Sequence, residues 1–143
     1  MIAALTACGG PDETANPPAQ EASAAGAGPV AAPPADALVA GTDYQATASV
    51  VCIINGDVIE GGCMAGVKRG WTDDGGALVE ITKPDGSRRA IFTDAIGNPM
   101  GADSAEADGS AGWTMVITRA GTTNVIDFGP EHYELPDALV LGG

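Results

Sequence analysis

Seven short β-rich runs, each bounded by residues that tolerate a positive φ, fill the C-terminal 101 residues of this 143-residue chain. They are Tyr44–Ile54, Met64–Lys68, Ala77–Lys83, Arg88–Thr93, Trp113–Arg119, Thr122–Phe128 and His132–Leu135. The separators Asn55-Gly56, Asp73-Asp74-Gly75-Gly76, Pro84-Asp85-Gly86 and Ala120-Gly121 each supply the conformation that a tight hairpin turn needs. Short strands at regular spacing with such turns specify an all-β domain. No segment holds a 3.6-residue apolar period, which argues against a helical bundle. One helical turn or two are expected at Ser104–Asp108, with Asp103 as cap, Glu106 at the reciprocal position and Gly109 as stop. The expected fold is a small antiparallel β barrel or sandwich of about seven strands over residues 43–143.

The middle hairpin admits two registers. A two-residue Asp85-Gly86 turn sets Val79 against Phe92 and Ile81 against Ala90. A three-residue Pro84-Asp85-Gly86 loop sets Val79 against Ile91 and Ile81 against Arg89. Apolar matching favours the first and the proline favours the second. The C-terminal Pro136-Asp137-Ala138-Leu139-Val140-Leu141 reads as a last buried strand, or as a strand-forming tail free to pair with a partner edge.

Upstream of residue 43 the composition changes. Residues 9–42 hold six of the ten prolines, no Lys or Arg, and little that is large and apolar beyond Val30, Leu38 and Val39. Such a segment cannot offset its ordering entropy and is expected to be a disordered tether, with an r.m.s. reach of about 30–35 Å. Before it stands Met1-Ile2-Ala3-Ala4-Leu5-Thr6-Ala7-Cys8, a short apolar run ending in small residues, as at the end of a secretory signal. Leu5-Thr6-Ala7-Cys8 resembles the lipobox of bacterial envelope lipoproteins. That resemblance implies residues 1–7 as a signal remnant, a diacylglycerol on the Cys8 thiol, cleavage before it and acylation of the new N-terminus. More than one acyl chain is what stable anchoring requires. Gly9 in place of Asp after the cysteine implies, at family level, release from the inner membrane and an outer-membrane location facing the periplasm.

With Cys8 committed to lipid, Cys52 and Cys63 remain, and an even pair in an oxidising compartment reads as a disulfide. A regular hairpin at Asn55-Gly56 would set Cys52 against Ile59 rather than Cys63, so either Gly61-Gly62 breaks that hairpin or the segment is a stapled loop, and the loop is favoured. Cys52, ten residues, Cys63, then Gly66-Val67, Arg69-Gly70, Pro84-Asp85-Gly86, Arg89, Phe92, and the ending from Glu131 with Tyr133 and Pro136-Asp137-Ala138 are similar to a group of small exported bacterial proteins with no assigned activity. The resemblance implies the domain extent and the disulfide, and carries no function.

Six basic against 15 acidic residues give the domain a charge of −9, which excludes a phosphate-tracking nucleic-acid binder. Asp127-Phe128-Gly129 spells a kinase triplet without the rest of a kinase. Asp94, Asp103, Glu106 and Asp108 lack the ligand spacing of a calcium loop, since the twelfth position from Ser104 is Met115. His132, the only imidazole, has no nucleophile motif to serve. No metal site, cofactor or catalytic residue is expected. The candidate interaction surface is Trp71 with Lys68, Arg69, Arg88 and Arg89, where an exposed indole and cations suit an interface. As plain structure, the same cations blunt sheet edges and pair with acids such as Glu80. The expectation is a lipid-anchored envelope protein whose β domain is a non-catalytic binding or structural module for an envelope partner. A periplasmic inhibitor of a cationic hydrolase such as a lysozyme is the alternative, and a small hydrolase the third.

Overall fold

A computed structural model describes residues 37–142; Cys8 and the preceding signal-like residues lie outside them. The folded chain contains β1 (Ala46–Ile54), β2 (Asp57–Val58), β3 (Cys63–Lys68), β4 (Leu78–Thr82), β5 (Arg88–Thr93), β6 (Pro99–Ala102), β7 (Met115–Ala120), β8 (Thr123–Phe128), β9 (Glu131–Pro136) and a short helix α1 (Asp137–Leu141). The strand order is β6-β5-β4-β3-β1-β9-β8-β7, with β2 paired to β1. Eight strands thus form a nearly closed antiparallel barrel. β1 makes the turn possible. Its first half, Ala46–Val50, pairs with β3, while Val51–Ile54 pair with β9 on its other edge. The seam left between β6 and β7 is spanned at one end by residues 103–114.

Alternation decides what lies inside. Val50 and Cys52 of β1, Cys63, Ala65 and Val67 of β3, Val79 and Ile81 of β4, and Ile91 of β5 point inward and are buried. Ile126, Tyr133 and Leu135 complete this lining from β8 and β9. A barrel of this size is narrow enough to be filled by side chains.

The middle hairpin takes the three-residue register: Val79 faces Ile91 and Ile81 faces Arg89. Lys83 and Ser87 close the loop, the Asp85 carboxylate accepts from the Ser87 N–H at 2.9 Å, and Gly86 sits at φ +88°. Turn chemistry outweighed apolar matching here because Arg89 has a partner inside the barrel.

The disulfide joins Cys52 to Cys63 with a Cα–Cα distance of 5.6 Å. Around it, the expected loop is in fact a hairpin. Asn55 and Gly56, both at positive φ, turn β1 into β2, and Ile59 N–H donates to Cys52 O. Gly61 and Gly62 then break that ladder at φ +82° and +79°, and the chain rejoins β1 with Cys63 opposite Val50. The hairpin and the bridge coexist because the glycines, not the turn, end the first pairing.

Two other expectations are corrected. Residues 104–108 do not form a helical turn; a turn closes from Gly109 N–H to Glu106 O, followed by a 3₁₀ turn at Ser110–Gly112. Asp103 does not cap a helix because its carboxylate accepts from Ala90 N–H at 2.8 Å and faces Arg89. The C-terminal segment is neither strand nor tail but α1. Pro136 in extended conformation precedes Asp137, Gly142 at φ +87° ends the helix, and Leu139 and Val140 are buried against the barrel. Proline at the start and glycine just past the end are the usual helix delimiters. β6 escaped notice in the sequence because Pro99 and Gly101 lower its strand character.

Candidate functional site

The end of the barrel formed by the β1–β2 turn, the Pro84–Gly86 loop, residues 103–114 and the β8–β9 turn is its mouth. Asn55 N–H donates to Pro130 O at 2.9 Å, tying two of these loops together. Between them lies a cavity of about 430 Å³, lined by Ile54, Asn55, Asp57, Ile59, Lys83, Pro84, Asp85, Asp108, Trp113, Pro130 and Glu131.

Its floor is a network of charges inside the barrel. Strand alternation turns Arg89 of β5 and Glu131 of β9 inward, where they are only 2% and 3% exposed. Three strands separate β5 from β9 along the sheet, so their side chains meet across the lumen. Arg89 Nε donates to Glu131 Oε1 at 2.8 Å and an Nη to Oε2 at 2.9 Å. The remaining guanidinium protons reach Asp103 O at 2.7 Å, Asp103 Oδ1 at 3.3 Å and Asp108 Oδ2 at 3.3 Å. All five donors of the arginine therefore have acceptors. Tyr133 Oη donates to Glu131 Oε1 and Lys83 Nζ to Oε2, each at 2.8 Å. The carboxylate thus receives four hydrogen bonds, its full capacity. Trp113 and Phe128 cover the guanidinium, with ring centroids 5.5 and 5.2 Å from Cζ, and meet each other edge to face at 5.3 Å. Gly129, at φ +61°, lets the backbone pass Trp113 where a Cβ would collide with the indole.

These contacts set the charge states. Burial pushes the Glu131 carboxyl up, but Arg89, Lys83 and Tyr133 outweigh it and hold it below the ordinary range. The Tyr133 phenol is pushed up by burial and by Glu131. Hydrogen bonds from Ser110, with Arg89 nearby, bring Asp108 down to about 2. Around neutral pH the Glu131 and Asp108 carboxylates are charged and the Tyr133 phenol keeps its proton, with every group committed to a neighbour. It offers shape and fixed polarity, not a poised base or nucleophile.

Of the interaction residues singled out in the sequence, Arg89 alone lies here. Cys52 and Cys63 form the bridge. Trp71 is exposed at the opposite end of the barrel, with Lys68 Nζ 5.4 Å from its ring centroid. Lys68 and Arg88 both approach Glu80 on the outer wall, at 3.9 and 3.7 Å, the edge-blunting arrangement. Arg69 donates to the carbonyls of Val140 and Leu139 at 2.8 Å, capping α1. Arg89 is no surface residue at all. It was placed with the exposed cations because neighbouring arginines look alike in sequence, whereas strand alternation sends one out and the next in. His132 lies on the outer wall, its Nδ1 2.7 Å from Asp127 Oδ1. Trp113, Tyr133 and Glu131 were missed as site residues; the inward alternation of Glu131, Tyr133 and Leu135 was the available signal. Asp94 accepts from Ile96 N–H and Asn98 N–H within its own loop. Among the described residues, no three His, Cys, Asp or Glu side chains gather as metal ligands. Compared with known protein families, curated proteins and solved structures, the chain has no significant match.

Proposed function

We propose that this chain is a lipid-anchored protein of the bacterial envelope, held by Cys8, whose barrel is a non-catalytic binding module that engages its ligand or partner at the mouth. The observation that carries the reading is the saturated Arg89–Glu131 network beneath the cavity. A binding surface gains from a rigid polar floor, because a preorganised site loses less freedom on association. A hydrolytic site instead needs a group with spare capacity to accept or give a proton.

Photo-crosslinking in intact cells tests it, with a benzophenone amino acid replacing Asp85 at the rim and, in a control, Thr118 on β7. A discrete adduct from position 85 alone supports binding at the mouth. Adducts equally abundant from both positions, or substrate turnover lost in Trp113→Ala, would refute it. Mass spectrometry of the mature N-terminus tests the anchor separately.

One observation favours a second reading, the inhibitor of a cationic hydrolase. Asp57, Asp85 and Asp108 line the rim with negative charge, while Lys83 is held by Glu131 and Arg89 reaches Asp108; a rim with surplus acids attracts a basic enzyme at low ionic strength. Salt-sensitive inhibition of a lysozyme that weakens in Asp57→Asn/Asp85→Asn would establish it.

A further inference from the structure

The two ends of the barrel differ in what their tips expose. At the mouth the tips are Asn55-Gly56, Pro84-Asp85-Gly86, Ala107-Asp108-Gly109 and Gly129-Pro130, which hold no large apolar side chain themselves, although Val58, just after the first, is 73% exposed. At the opposite end, apart from the Gly121-Thr122 turn between β7 and β8, each element presents one: Leu38 before β1, Trp71 between β3 and β4, Ile96 between β5 and β6, and Leu141 at the end of α1. They are 55%, 52%, 71% and 45% exposed. Other exposed apolar side chains, such as Val51, Met64 and Val116, lie on the barrel wall, where scattered ones are ordinary.

The Trp71, Ile96 and Leu141 segments are contiguous. The loop after β3 touches the loop after β5, since a Cβ on Gly75 would lie 3.4 Å from Ala95 Cβ. Leu141 packs against Gly97, beside Ile96, and Gly142 lies against the Arg69 guanidinium. Ala37, the first described residue, stands at this end, and 36 residues including Cys8 precede it in the sequence. Val39 N–H donates to Tyr44 O there, at 2.8 Å.

We infer that this end of the barrel docks on a lipid bilayer surface, with Trp71, Ile96 and Leu141 inserted at the interface and the mouth directed away. The inference extends the reading of Cys8 as an anchor, which would bring this end to the membrane before the other. Indole rings favour the boundary between headgroups and acyl chains, and a lysine stem can lie along apolar surface while its ammonium stays in water. The Lys68 ammonium lies 5.4 Å over the Trp71 ring and pairs with the Asp43 carboxylate at 2.9 Å, which holds it beside the indole. Asp73, Asp74 and Asp94 flank the patch, so the attraction is apolar and the fitting surface is zwitterionic rather than anionic.

The test uses the purified full chain with phosphatidylcholine vesicles carrying brominated acyl chains, at lipid concentrations high enough to hold it without an anchor. Docking predicts quenching of tryptophan emission that survives in Trp113→Phe and disappears in Trp71→Phe. Ile96→Asp, on an exposed loop, should weaken vesicle binding of the Cys8→Ser chain about tenfold. Unquenched Trp71 overturns the inference whether or not Cys8 carries lipid. So does quenching that requires phosphatidylglycerol and vanishes with salt, or burial of Trp71 in a dimer without vesicles. Flotation of the wild-type chain against Cys8→Ser reports on the anchor by itself, so failure of the anchor and failure of docking are told apart.

Discussion

Arg89 of β5 and Glu131 of β9 share no backbone ladder, yet they are joined across the barrel lumen by two hydrogen bonds of 2.8 and 2.9 Å. A bidentate arginine–carboxylate contact is directional as well as strong. A slide of β5 relative to β9 would break both bonds. Taking two charges out of water is costly, so such a pair specifies an arrangement more than it stabilises one.

Removing one partner should therefore cost more than removing both. Glu131→Leu leaves a buried guanidinium short of its main acceptor and is expected to destabilise by about 3–5 kcal/mol. Arg89→Met/Glu131→Leu should recover a large part of that loss. Urea unfolding of the two single variants and the double variant measures it; additive losses would show that the two side chains act independently.

The network also sets the acid limit. The Glu131 carboxyl is held below its ordinary 4.5 and Asp108 is lowered from 3.8 to about 2. Carboxyls with depressed values stabilise the fold above their unfolded values, and that contribution is lost as pH falls through the folded ones. Unfolding free energy should be level from pH 7 to about 5 and decline between about 4.5 and 2. Asp108→Asn should be less stable at neutrality and show a smaller decline. A stability profile unchanged down to pH 2 in the parent chain would contradict this.

The alkaline side has the opposite sign. Burial and Glu131 raise the Tyr133 phenol above its ordinary 10.0, so its contribution is complete below that value and lost as pH rises past it. Phenolate absorbance from Tyr133 should appear only together with unfolding. Tyr44→Phe leaves Tyr133 as the single tyrosine for the measurement; ionisation of Tyr133 in a still-folded barrel would refute the coupling.

How much of this was legible in the sequence follows from range. Strand identity and turns are local, so all seven expected runs overlap a strand of the barrel, and Pro84-Asp85-Gly86 turned where expected. The inward direction of Arg89 was not legible, because its reason lies at Glu131, 42 residues away. The same distance effect explains residues 104–108: a local capping signal at Asp103 lost to Arg89, which uses Asp103 and Asp108 as acceptors. The closing helix escaped for another reason. Leu139-Val140-Leu141 is as apolar as a strand, and only Pro136 and Gly142 marked it as a helix.

The Cys52–Cys63 bridge spans a sequence separation of 11. In the chain-entropy account a loop of that size contributes about 3 kcal/mol by restricting the unfolded chain. Cys52→Ala/Cys63→Ala should lose about that amount in urea, and dithiothreitol should destabilise the parent but leave the variant unchanged. Equal stability of both under oxidising conditions would show that the hairpin at Asn55-Gly56 positions β3 unaided.

Arg69 and Arg119 brace α1 from its two ends. Arg69 donates to the last carbonyls, Val140 O and Leu139 O, at 2.8 Å, while Arg119 binds the Asp137 carboxylate in the first turn. A five-residue helix cannot persist on its own, because nucleation costs more than so few bonds return; it persists by covering the end of the barrel with Leu139 and Val140. Carbonyls at a helix C-terminus need donors, and a charge-assisted bond contributes about 1.5–3 kcal/mol. Arg69→Ala should lower stability by that range, and Arg69→Lys should recover less than half, because one ammonium does not reproduce the fork that reaches both carbonyls. Hydrogen exchange should report the loss at Val140 and Leu141 before any strand amide opens. Protection at α1 unaffected by Arg69→Ala would show that the buried side chains alone hold the helix in place.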